Sequence, residues 1–261
     1  MCYSDEDRPP AAPGAHSPAR GEDLVLTSSD GNRFSAHIAW PSAPIGISVI
    51  IYPDVRGLHQ FYKSLAMRFA EVGITALAID YFGRTAGLTA RDDSFEFWPH
   101  VQQVQFDSFI LDVRSAIDYL HEKVAADTPI FVMGFCMGGS LTLLSSSVAE
   151  LGFSGVMPFY ANLGRVWAGK GSVLDVADKV AYPVLGLFGG ADEGITEAQR
   201  QELDDKLTTA KVDHTIYAYP EAPHSFFDRK ATDFAAASTD AWNRVLSFIH
   251  SHTPQHVHSH N

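Results

Sequence analysis

A strand pattern and a helix pattern meet at a single cysteine in residues 130–144, IFVMGFCMGGSLTLL. The apolar run Ile130–Met133 is typical of a buried strand, and Gly138–Val148 has the length and composition of a helix. Glycines stand two positions before and two positions after Cys136, where larger side chains would collide with the strand or the helix. The sequence therefore predicts a sharp strand–turn–helix connection with the cysteine at its apex.

Strand and helix patterns also alternate along the rest of the chain. The run Ile47–Tyr52 is typical of a strand covered on both faces, whereas Leu58–Val72 repeats apolar residues at helical spacing. The other predicted strands are Asp23–Thr27, Arg33–Trp40, Ile74–Ile79, Phe153–Tyr160, Val184–Phe188 and His214–Tyr219, and the other predicted helices are Val101–Val124, Glu197–Leu207 and Phe234–His250. This alternation predicts an α/β fold with a mostly parallel sheet and helices on both faces. A functional site then belongs beyond the carboxyl ends of the strands.

One folded domain is expected over residues 23–251, because 46% of the chain is hydrophobic and its length suits a single α/β unit. Residues 1–22 are rich in proline, alanine and acidic residues without periodicity, which indicates a disordered or loosely packed leader. Residues 252–261 contain closely spaced histidines and indicate a flexible tail. Residues 83–99 are polar and irregular, and we expect a long loop or lid there.

The charge of the chain excludes some classes of partner. Acidic residues outnumber basic ones by 31 to 19, for a net charge of −12. Nucleic-acid binding needs a basic face, and the sequence has no lysine and arginine cluster.

No apolar run approaches the ~20 residues of a membrane span, and the two cysteines, Cys2 and Cys136, do not suggest a disulfide framework. We expect a cytoplasmic protein, monomeric or a small homo-oligomer, that binds a small molecule and neither nucleic acid nor membrane.

A nucleophilic cysteine needs a base, and the base needs a group that orients it. With a nucleophile elbow of this kind, the acid and then the histidine follow along the chain. Asp192 comes shortly after the predicted strand Val184–Phe188, and His224 comes shortly after His214–Tyr219. We therefore predict Cys136 as nucleophile, His224 as base and Asp192 as orienting acid.

Four alternatives to these assignments stay open. Asp192 could cap the helix that follows it, although Thr196 is better placed for that role. Glu193 is the nearest rival for the acid, and His224 could be an ordinary loop histidine. Cys136 could be a small buried cysteine at the end of a strand.

Two backbone N–H groups are predicted to stabilise an oxyanion. One belongs to Met137 at the start of the helix after the cysteine, where the helix dipole favours negative charge. The other candidate is Val55, in the loop that follows Ile47–Tyr52.

Aromatic residues near these loops could line a pocket, although aromatic side chains more often form core; they are Phe82, Phe95, Phe97, Trp98 and Phe135.

The chain resembles the dienelactone hydrolase family (carboxymethylenebutenolidase-like) in five segments that occur in the family's order. They are Pro53–Leu58, Ile79–Arg84, Gly134–Gly139, Val184–Asp192 and Tyr219–Phe226. The resemblance implies a single α/β-hydrolase domain without a metal or other cofactor. It also implies hydrolysis of an enol-lactone through a Cys-His-Asp triad and an acyl-enzyme intermediate.

The resemblance also assigns roles to residues around the triad, and here the chain departs from the family. Asp54 stands where the family usually carries a glutamate that contacts the resting thiol. Arg84 matches one of two arginines that bind a substrate carboxylate. The second arginine position is Asp228 here, although Arg229 is adjacent and Arg56 could substitute. We therefore expect good activity on neutral short-chain esters and weak preference for carboxylated lactones.

Three functions fit these features to different degrees. A hydrolase of small esters or lactones fits best, and a thioesterase or acyltransferase could use the same triad. A non-catalytic binding protein on a hydrolase scaffold is the third reading, but such a protein would be expected to have lost a triad residue.

Overall fold

The structure is a computed structural model, and it describes residues 5–14, 16–228 and 230–254. Eight strands form one sheet: β1 (Ala19–Thr27), β2 (Arg33–Pro41), β3 (Ser48–Tyr52), β4 (Thr75–Ile79), β5 (Ile130–Phe135), β6 (Gly155–Phe159), β7 (Val184–Gly189) and β8 (His214–Tyr219). Their order is β1-β2-β4-β3-β5-β6-β7-β8. The pairs β1–β2 and β2–β4 are antiparallel, and every pair from β4 to β8 is parallel. The predicted α/β fold with a mostly parallel sheet is confirmed.

Helices cover the sheet. They are α1 (Gln60–Glu71), α2 (Gly83–Ala86), α3 (Trp98–Val101), α4 (Phe106–Lys123), α5 (Met137–Ser145), α6 (Val173–Val176), α7 (Glu197–Thr209) and α8 (Ala235–His252), and two short 3₁₀ turns lie at Ala149–Leu151 and Ala177–Lys179. Every residue of β3 to β7 is buried. Because successive side chains of a strand point to opposite faces, both faces of these strands are covered.

The single helix predicted over Val101–Val124 is wrong at its beginning. The chain forms the short helix α3, leaves helical geometry, and enters α4 only at Phe106. Gln105 is extended, and the Phe106 N–H donates to the Ala168 carbonyl at 2.9 Å. A hydrogen bond to a distant segment therefore interrupts a sequence whose local pattern is helical throughout.

The N-terminal segment lies closer to the domain than we expected for residues 1–22. Strand β1 begins at Ala19, where its pairing with β2 starts. Ala12 is buried in the core, and the Trp242 indole N–H donates to the Pro10 carbonyl at 3.1 Å. The Asp5 N–H donates to the Asp93 carboxylate at 3.0 Å. These contacts run from the sheet edge to the loop after α2, so the described part of the leader packs on the domain.

At the other end, α8 extends two residues beyond the predicted His250. His252 is its last residue, and its Nε2 lies 3.0 Å from the Asp213 carboxylate. Most of the predicted tail, residues 255–261, lies outside the described residues. None of the described helices combines the length and the apolar character needed to cross a bilayer.

Candidate active site

The connection from β5 to α5 holds Cys136 in a sharp turn. Cys136 has φ 55° and ψ −113°, a strained conformation for a residue with a side chain, and α5 begins at the next residue. A Cβ on Gly134 would lie 2.2 Å from the Gly138 carbonyl oxygen, and a Cβ on Gly138 would lie 2.2 Å from the carbonyl oxygens of Tyr52 and Pro53. Only glycine fits at both positions, as the spacing predicted.

His224 and Asp192 are brought together by two loops at the same edge of the sheet. Asp192 follows β7 and His224 follows β8. The His224 Nδ1 lies 2.6 Å from Asp192 Oδ2, and the Gly194 N–H donates to Asp192 Oδ1 at 2.9 Å. Asp192 is 7% exposed, whereas the His224 side chain is about one third exposed. The buried carboxylate thus fixes one ring nitrogen and leaves the imidazole open to the site.

The alternatives for the acid fit this geometry less well. Thr196, not Asp192, caps α7, since its side chain accepts the Gln199 N–H at 3.2 Å. Glu193 is exposed and does not line the cavity described next. Asp192 is therefore the carboxylate that serves His224.

A cavity of about 330 Å³ opens at the carboxyl ends of the parallel strands. Its lining contains all three candidates for nucleophile, base and acid. The lining residues are Val55, Phe97, Trp98, Cys136, Asn162, Arg165, Trp167, Asp192, Gly194, Ile195 and His224. A cavity of this size is within the range of small-molecule sites.

Both predicted oxyanion donors lie beside the turn. Met137 is the first residue of α5, and Val55 lines the cavity two residues after Pro53, whose carbonyl packs on Gly138. Among the hydrogen bonds of the described residues, none uses the N–H of Val55 or of Met137. These N–H groups are thus available to a developing negative charge.

Asp54 is fully buried next to this loop. Its Oδ1 accepts the Arg56 N–H at 2.9 Å, which is the hydrogen bond of an Asx turn. The pKa of Tyr81 is raised well above its usual value, chiefly by burial, with smaller contributions from neighbours that include Asp54 and Cys136. Tyr81 is therefore a neighbour of both Asp54 and the Cys136 thiol. The Asp54 carboxylate also organises the turn that contains Arg56.

The three predicted substrate contacts do not line the cavity. Arg84 instead pairs with Asp112 at 2.5 Å and with Asp30 at 2.8 Å, and its hydrogen bond lowers the pKa of Asp30 to about 2. Arg56 is 2% exposed and pairs with Asp93 at 2.5 Å. Phe135 is fully buried against other aromatic rings. The structure places these three side chains outside the cavity, and each takes part in packing or in an ion pair elsewhere.

Other aromatic candidates divide between cavity and core. Phe97 and Trp98 line the cavity, and Trp98 is 46% exposed. Phe82 is fully buried, and Phe95 stacks on the His100 ring at 5.2 Å. The predicted lid thus contributes only its last residues to the cavity.

Asn162, Arg165 and Trp167 were not predicted as site residues from the sequence. They lie in the loop after β6, and all three line the cavity. The Arg165 N–H donates to Asn162 Oδ1 at 2.8 Å, and Asn162 Nδ2 donates to the Gly194 carbonyl at 3.4 Å. The loop is thereby tied to the loop of Asp192. Its position directly after a parallel strand was the available signal, because site residues concentrate there.

Asp228, which we expected to repel a substrate carboxylate, does not line the cavity. It is 2% exposed, and its Oδ2 accepts the Tyr160 hydroxyl at 2.8 Å. The Tyr160 ring in turn packs on His224 with ring centres 4.9 Å apart. Asp228 therefore supports the wall behind the histidine. Arg229 lies outside the described residues.

One group of side chains away from the cavity has the spacing of a metal site. Ligand atoms of Asp5, His59 and Asp93 lie within 4.8 Å of one another. The Arg56 guanidinium donates to the same Asp93 carboxylate, and its positive charge opposes a cation there. Burial and Arg56 also lower the pKa of His59 to about 4. We interpret this group as a polar cluster built around the Arg56–Asp93 ion pair.

Comparison with protein families matches residues 34–253 to the dienelactone hydrolase family. Two curated relatives are the carboxymethylenebutenolidases of Pseudomonas putida and Pseudomonas knackmussii. Each is 23% identical over 237 residues, which cover 87% of this chain and 95% of the relative.

Solved structures share the fold over nearly the whole chain. A dienelactone hydrolase-like promiscuous phosphotriesterase from metagenomic libraries superposes with a TM-score of 0.71 and 22% identity, covering 92% of this chain and all of that one. An esterase of Pyrococcus furiosus gives a TM-score of 0.67 at 17% identity, covering 94% of this chain and 97% of that one. At these identities the likeness concerns the fold.

Proposed function

The chain belongs to the dienelactone hydrolase family and is a carboxylic ester hydrolase, and we propose that it cleaves small esters or lactones with Cys136, His224 and Asp192. The observation that carries this proposal is the shared cavity. Cys136 at the apex of a strained turn, and His224 with its buried carboxylate partner at 2.6 Å, line the same 330 Å³ space.

In the first half-reaction, His224 Nε2 takes the proton of the Cys136 thiol, and the sulfur attacks the carbonyl carbon of the ester. Asp192 holds His224 Nδ1–H and stabilises the imidazolium that forms. The carbonyl oxygen becomes an oxyanion, which accepts hydrogen bonds from the N–H groups of Val55 and Met137. When the C–O bond breaks, His224 returns its proton to the leaving alkoxide, and a thioester remains on Cys136.

In the second half-reaction, water replaces the alcohol. His224 removes a proton from the water, which attacks the thioester carbon through a second oxyanion in the same N–H pair. The C–S bond then breaks, the acid leaves, and the proton passes back to the sulfur. With a lactone, the alcohol and the acid are two ends of one product.

Asp54 has a restraining role in this proposal. A buried carboxylate near the thiol disfavours the thiolate through like-charge repulsion. Its hydrogen bond with the Arg56 N–H also shapes the loop that presents Val55. Asp54 therefore acts on the resting state of Cys136 and on the oxyanion donors.

The test of this function is a screen of p-nitrophenyl esters and simple lactones of increasing acyl length. We expect hydrolysis to the free acid, with a preference for acyl groups that a 330 Å³ cavity holds. Cys136→Ala should remove the activity. Persistent hydrolysis by Cys136→Ala, or no hydrolysis of any ester or lactone by the unmodified protein, would count against the proposal.

A further inference from the structure

A groove of about 370 Å³ lies at the edge of the domain where α1 packs on β1 and β2. Its lining residues are Gly21, Glu22, Asp23, His37, Gln60, Lys63, Ser64 and Met67. This set shares no residue with the lining of the candidate active-site cavity. What the groove binds is therefore independent of the proposed ester hydrolysis.

His37 lies in this groove with one ring nitrogen engaged and the other not. It stands directly opposite Asp23 in the pairing of β1 with β2, and its Nδ1 lies 2.7 Å from the Asp23 carboxylate. His37 is 9% exposed, and among the described residues its buried Nε2 has no hydrogen-bond partner. Buried polar atoms of a side chain normally have a partner. The unpaired Nε2 therefore indicates a partner that is not a protein group.

The Asp23 carboxylate determines what Nε2 can offer to such a partner. Because a carboxylate accepts hydrogen bonds, the ring proton lies on Nδ1, and Nε2 presents a lone pair. The charge of Asp23 is balanced by Lys63, whose Nζ lies 2.8 Å from the other carboxylate oxygen. Histidines that bind metals commonly have such a carboxylate on the second nitrogen, since it orients the ring and makes the free nitrogen more basic.

A thioether sulfur lies close to the same nitrogen. A Cβ added to Gly21 would lie 2.6 Å from His37 Nε2 and 2.9 Å from Met67 Sδ. Both atoms therefore lie against the face of Gly21 that has no side chain. His37 comes from β2 and Met67 from α1, so two donor atoms from different elements meet beside one glycine of β1.

The chemistry of the two donors selects a class of metal ion. Imidazole binds several transition metals, whereas a thioether favours soft ions such as Cu(I). Hard cations such as Mg²⁺ and Ca²⁺ take oxygen ligands, and the Asp23 carboxylate is already engaged by His37 and Lys63. Cu(I) is the ion that suits both an imidazole nitrogen and a thioether sulfur.

We infer that His37 Nε2 and Met67 Sδ bind Cu(I) beside Gly21. Both donors are neutral and unprotonated, so binding releases no proton and leaves the oxidation state of the ion unchanged. Asp23 holds the imidazole, while the flexible side chain of Met67 lets the sulfur close on the ion. The net charge of −12 attracts cations to the protein surface. The bound ion joins β1, β2 and α1 at a place remote from the cavity lining.

Silver(I) tests the inference, because it shares the charge and the ligand preference of Cu(I) and is not oxidised in air. The full chain is labelled with carbon-13 at the methionine methyl groups and carries Cys2→Ser and Cys136→Ala, which remove competing thiols. We expect added Ag(I) to shift the methyl resonance of Met67, which Met67→Leu identifies. The resonances of the buried Met133 and Met157 should stay in place. Cu(I) added without oxygen should shift the same resonance.

Variants of the ligand and of its carboxylate partner separate a built site from chance binding. His37→Phe should abolish the shift of Met67 at the same concentration of Ag(I), because the sulfur loses the second donor. Asp23→Asn should weaken binding of Ag(I) about 10–100-fold, because the imidazole loses the group that orients it. His121→Phe is the matched control: His121 lies on α4, outside the groove, and this variant should bind Ag(I) as the parent does.

Gly21→Ala tests the space between the two donors. The added Cβ meets the ends of two flexible side chains rather than backbone atoms, so the fold is kept while the donors are pushed apart. We expect this variant to bind Ag(I) at least tenfold more weakly than the parent, about the effect of Asp23→Asn. Unshifted Met133 and Met157 resonances before addition of the ion show that the core of each variant is intact.

Three results would each overturn the inference. The first is a Met67 resonance that moves with neither Ag(I) nor Cu(I), or with Ag(I) alone. The second is a shift that persists in His37→Phe, which would mean an adventitious ion only, on a partly exposed sulfur. The third is equal binding of Ag(I) by Gly21→Ala and His121→Phe. Each of these results leaves the proposed ester hydrolysis untouched.

Discussion

At the scale of single residues, His224 and Asp192 form the best-defined contact of the candidate site. The carboxylate is buried, accepts a backbone N–H, and lies 2.6 Å from His224 Nδ1. It leaves Nε2 as the ring nitrogen that acts on the thiol in the proposed mechanism. This division of the two ring nitrogens is what the proposed mechanism requires of an orienting acid.

Asp192→Asn should lower kcat for ester hydrolysis roughly 10²–10⁴-fold, because an amide no longer stabilises the imidazolium or selects its tautomer. Steady-state kinetics on p-nitrophenyl acetate measures this. Glu193→Gln is the matched control, since Glu193 is adjacent, exposed and outside the cavity. Equal losses in both variants would mean that Asp192 is not the orienting acid.

Asp54→Asn should lower the apparent pKa for alkylation of Cys136 by iodoacetamide and speed its oxidation in air. The amide can still accept the Arg56 N–H, so the turn is kept while the negative charge near the thiol is removed. The rate of alkylation is followed against pH in a Cys2→Ser background. An unchanged alkylation pKa with reduced stability would leave Asp54 only the turn-forming role.

At the scale of elements, a cluster of polar and charged side chains holds α1 and the loop after α2 together. His59 begins α1 and accepts the Phe61 N–H at 3.5 Å through Nδ1. Its Nε2 lies 2.5 Å from the Asp5 carboxylate, and Asp93 is on the loop after α2. Arg91, in the same loop, forms a buried ion pair at 2.9 Å with Asp80, which follows β4, and this pair fixes the segment that leads to Phe97 and Trp98. The loop is therefore anchored to the N-terminal segment, to the start of α1 and to the end of β4.

The burial of His59 makes the stability of the protein depend on pH. Its folded pKa of about 4 is below the ordinary value of 6.5, so the unfolded chain binds more protons between these values. Its contribution is present above pH 6.5 and is lost as pH falls towards 4. His59→Asn, which keeps a capping residue, should reduce the loss of unfolding free energy between pH 7 and pH 5 by about 1–2 kcal/mol. Urea unfolding at both values measures this, and an unaltered difference would contradict the assignment.

Some secondary-structure elements could be predicted from local sequence patterns, and others could not. Strand β8 occurs where it was predicted, and so does the hairpin β1–β2 except that β1 begins at Ala19 rather than Asp23, because alternation or apolar runs indicate strands directly. The break before Phe106 depends on a hydrogen bond with Ala168, 62 residues along the chain, which no local pattern contains. The ion pair of Arg84 could not be predicted for the same reason, since its partner Asp112 lies on α4.

Some residues of the candidate site could likewise be predicted from local sequence, and others could not. Cys136, Asp192 and His224 could be proposed because each follows a predicted strand and carries recognisable chemistry. Arg165 and Trp167 lie in an irregular loop whose path depends on Asn162 and on the bridge at Gly171. Their place in the cavity therefore needed the tertiary structure.

At the scale of the whole molecule, the N-terminal segment connects distant parts of the domain. It contacts α8 through Pro10, the core through Ala12, and the loop after α2 through Asp5. Residues 1–22 were expected to be loosely packed. The contacts instead indicate that this segment contributes to stability and to the position of the loop that lines the cavity.

Removing residues 1–14 should lower the thermal midpoint of unfolding, because it exposes the core beside Ala12 and leaves the Trp242 indole N–H without its partner. A shorter deletion, of residues 1–8, keeps the contacts of Pro10 and Ala12 and should give a smaller decrease. Differential scanning calorimetry distinguishes the two. Midpoints equal to that of the full chain in both deletions would restore the original expectation of a loose leader.

The central claim is that Cys136 carries the acyl group during hydrolysis. The most direct measurement is rapid acid quenching of the protein during turnover of p-nitrophenyl acetate, followed by peptide mapping with mass spectrometry. We expect an acetyl group on the peptide that contains Cys136, absent from Cys136→Ala, and a burst of p-nitrophenol equal to the amount of protein. An acetyl group on another residue, with turnover preserved in Cys136→Ala, would contradict it.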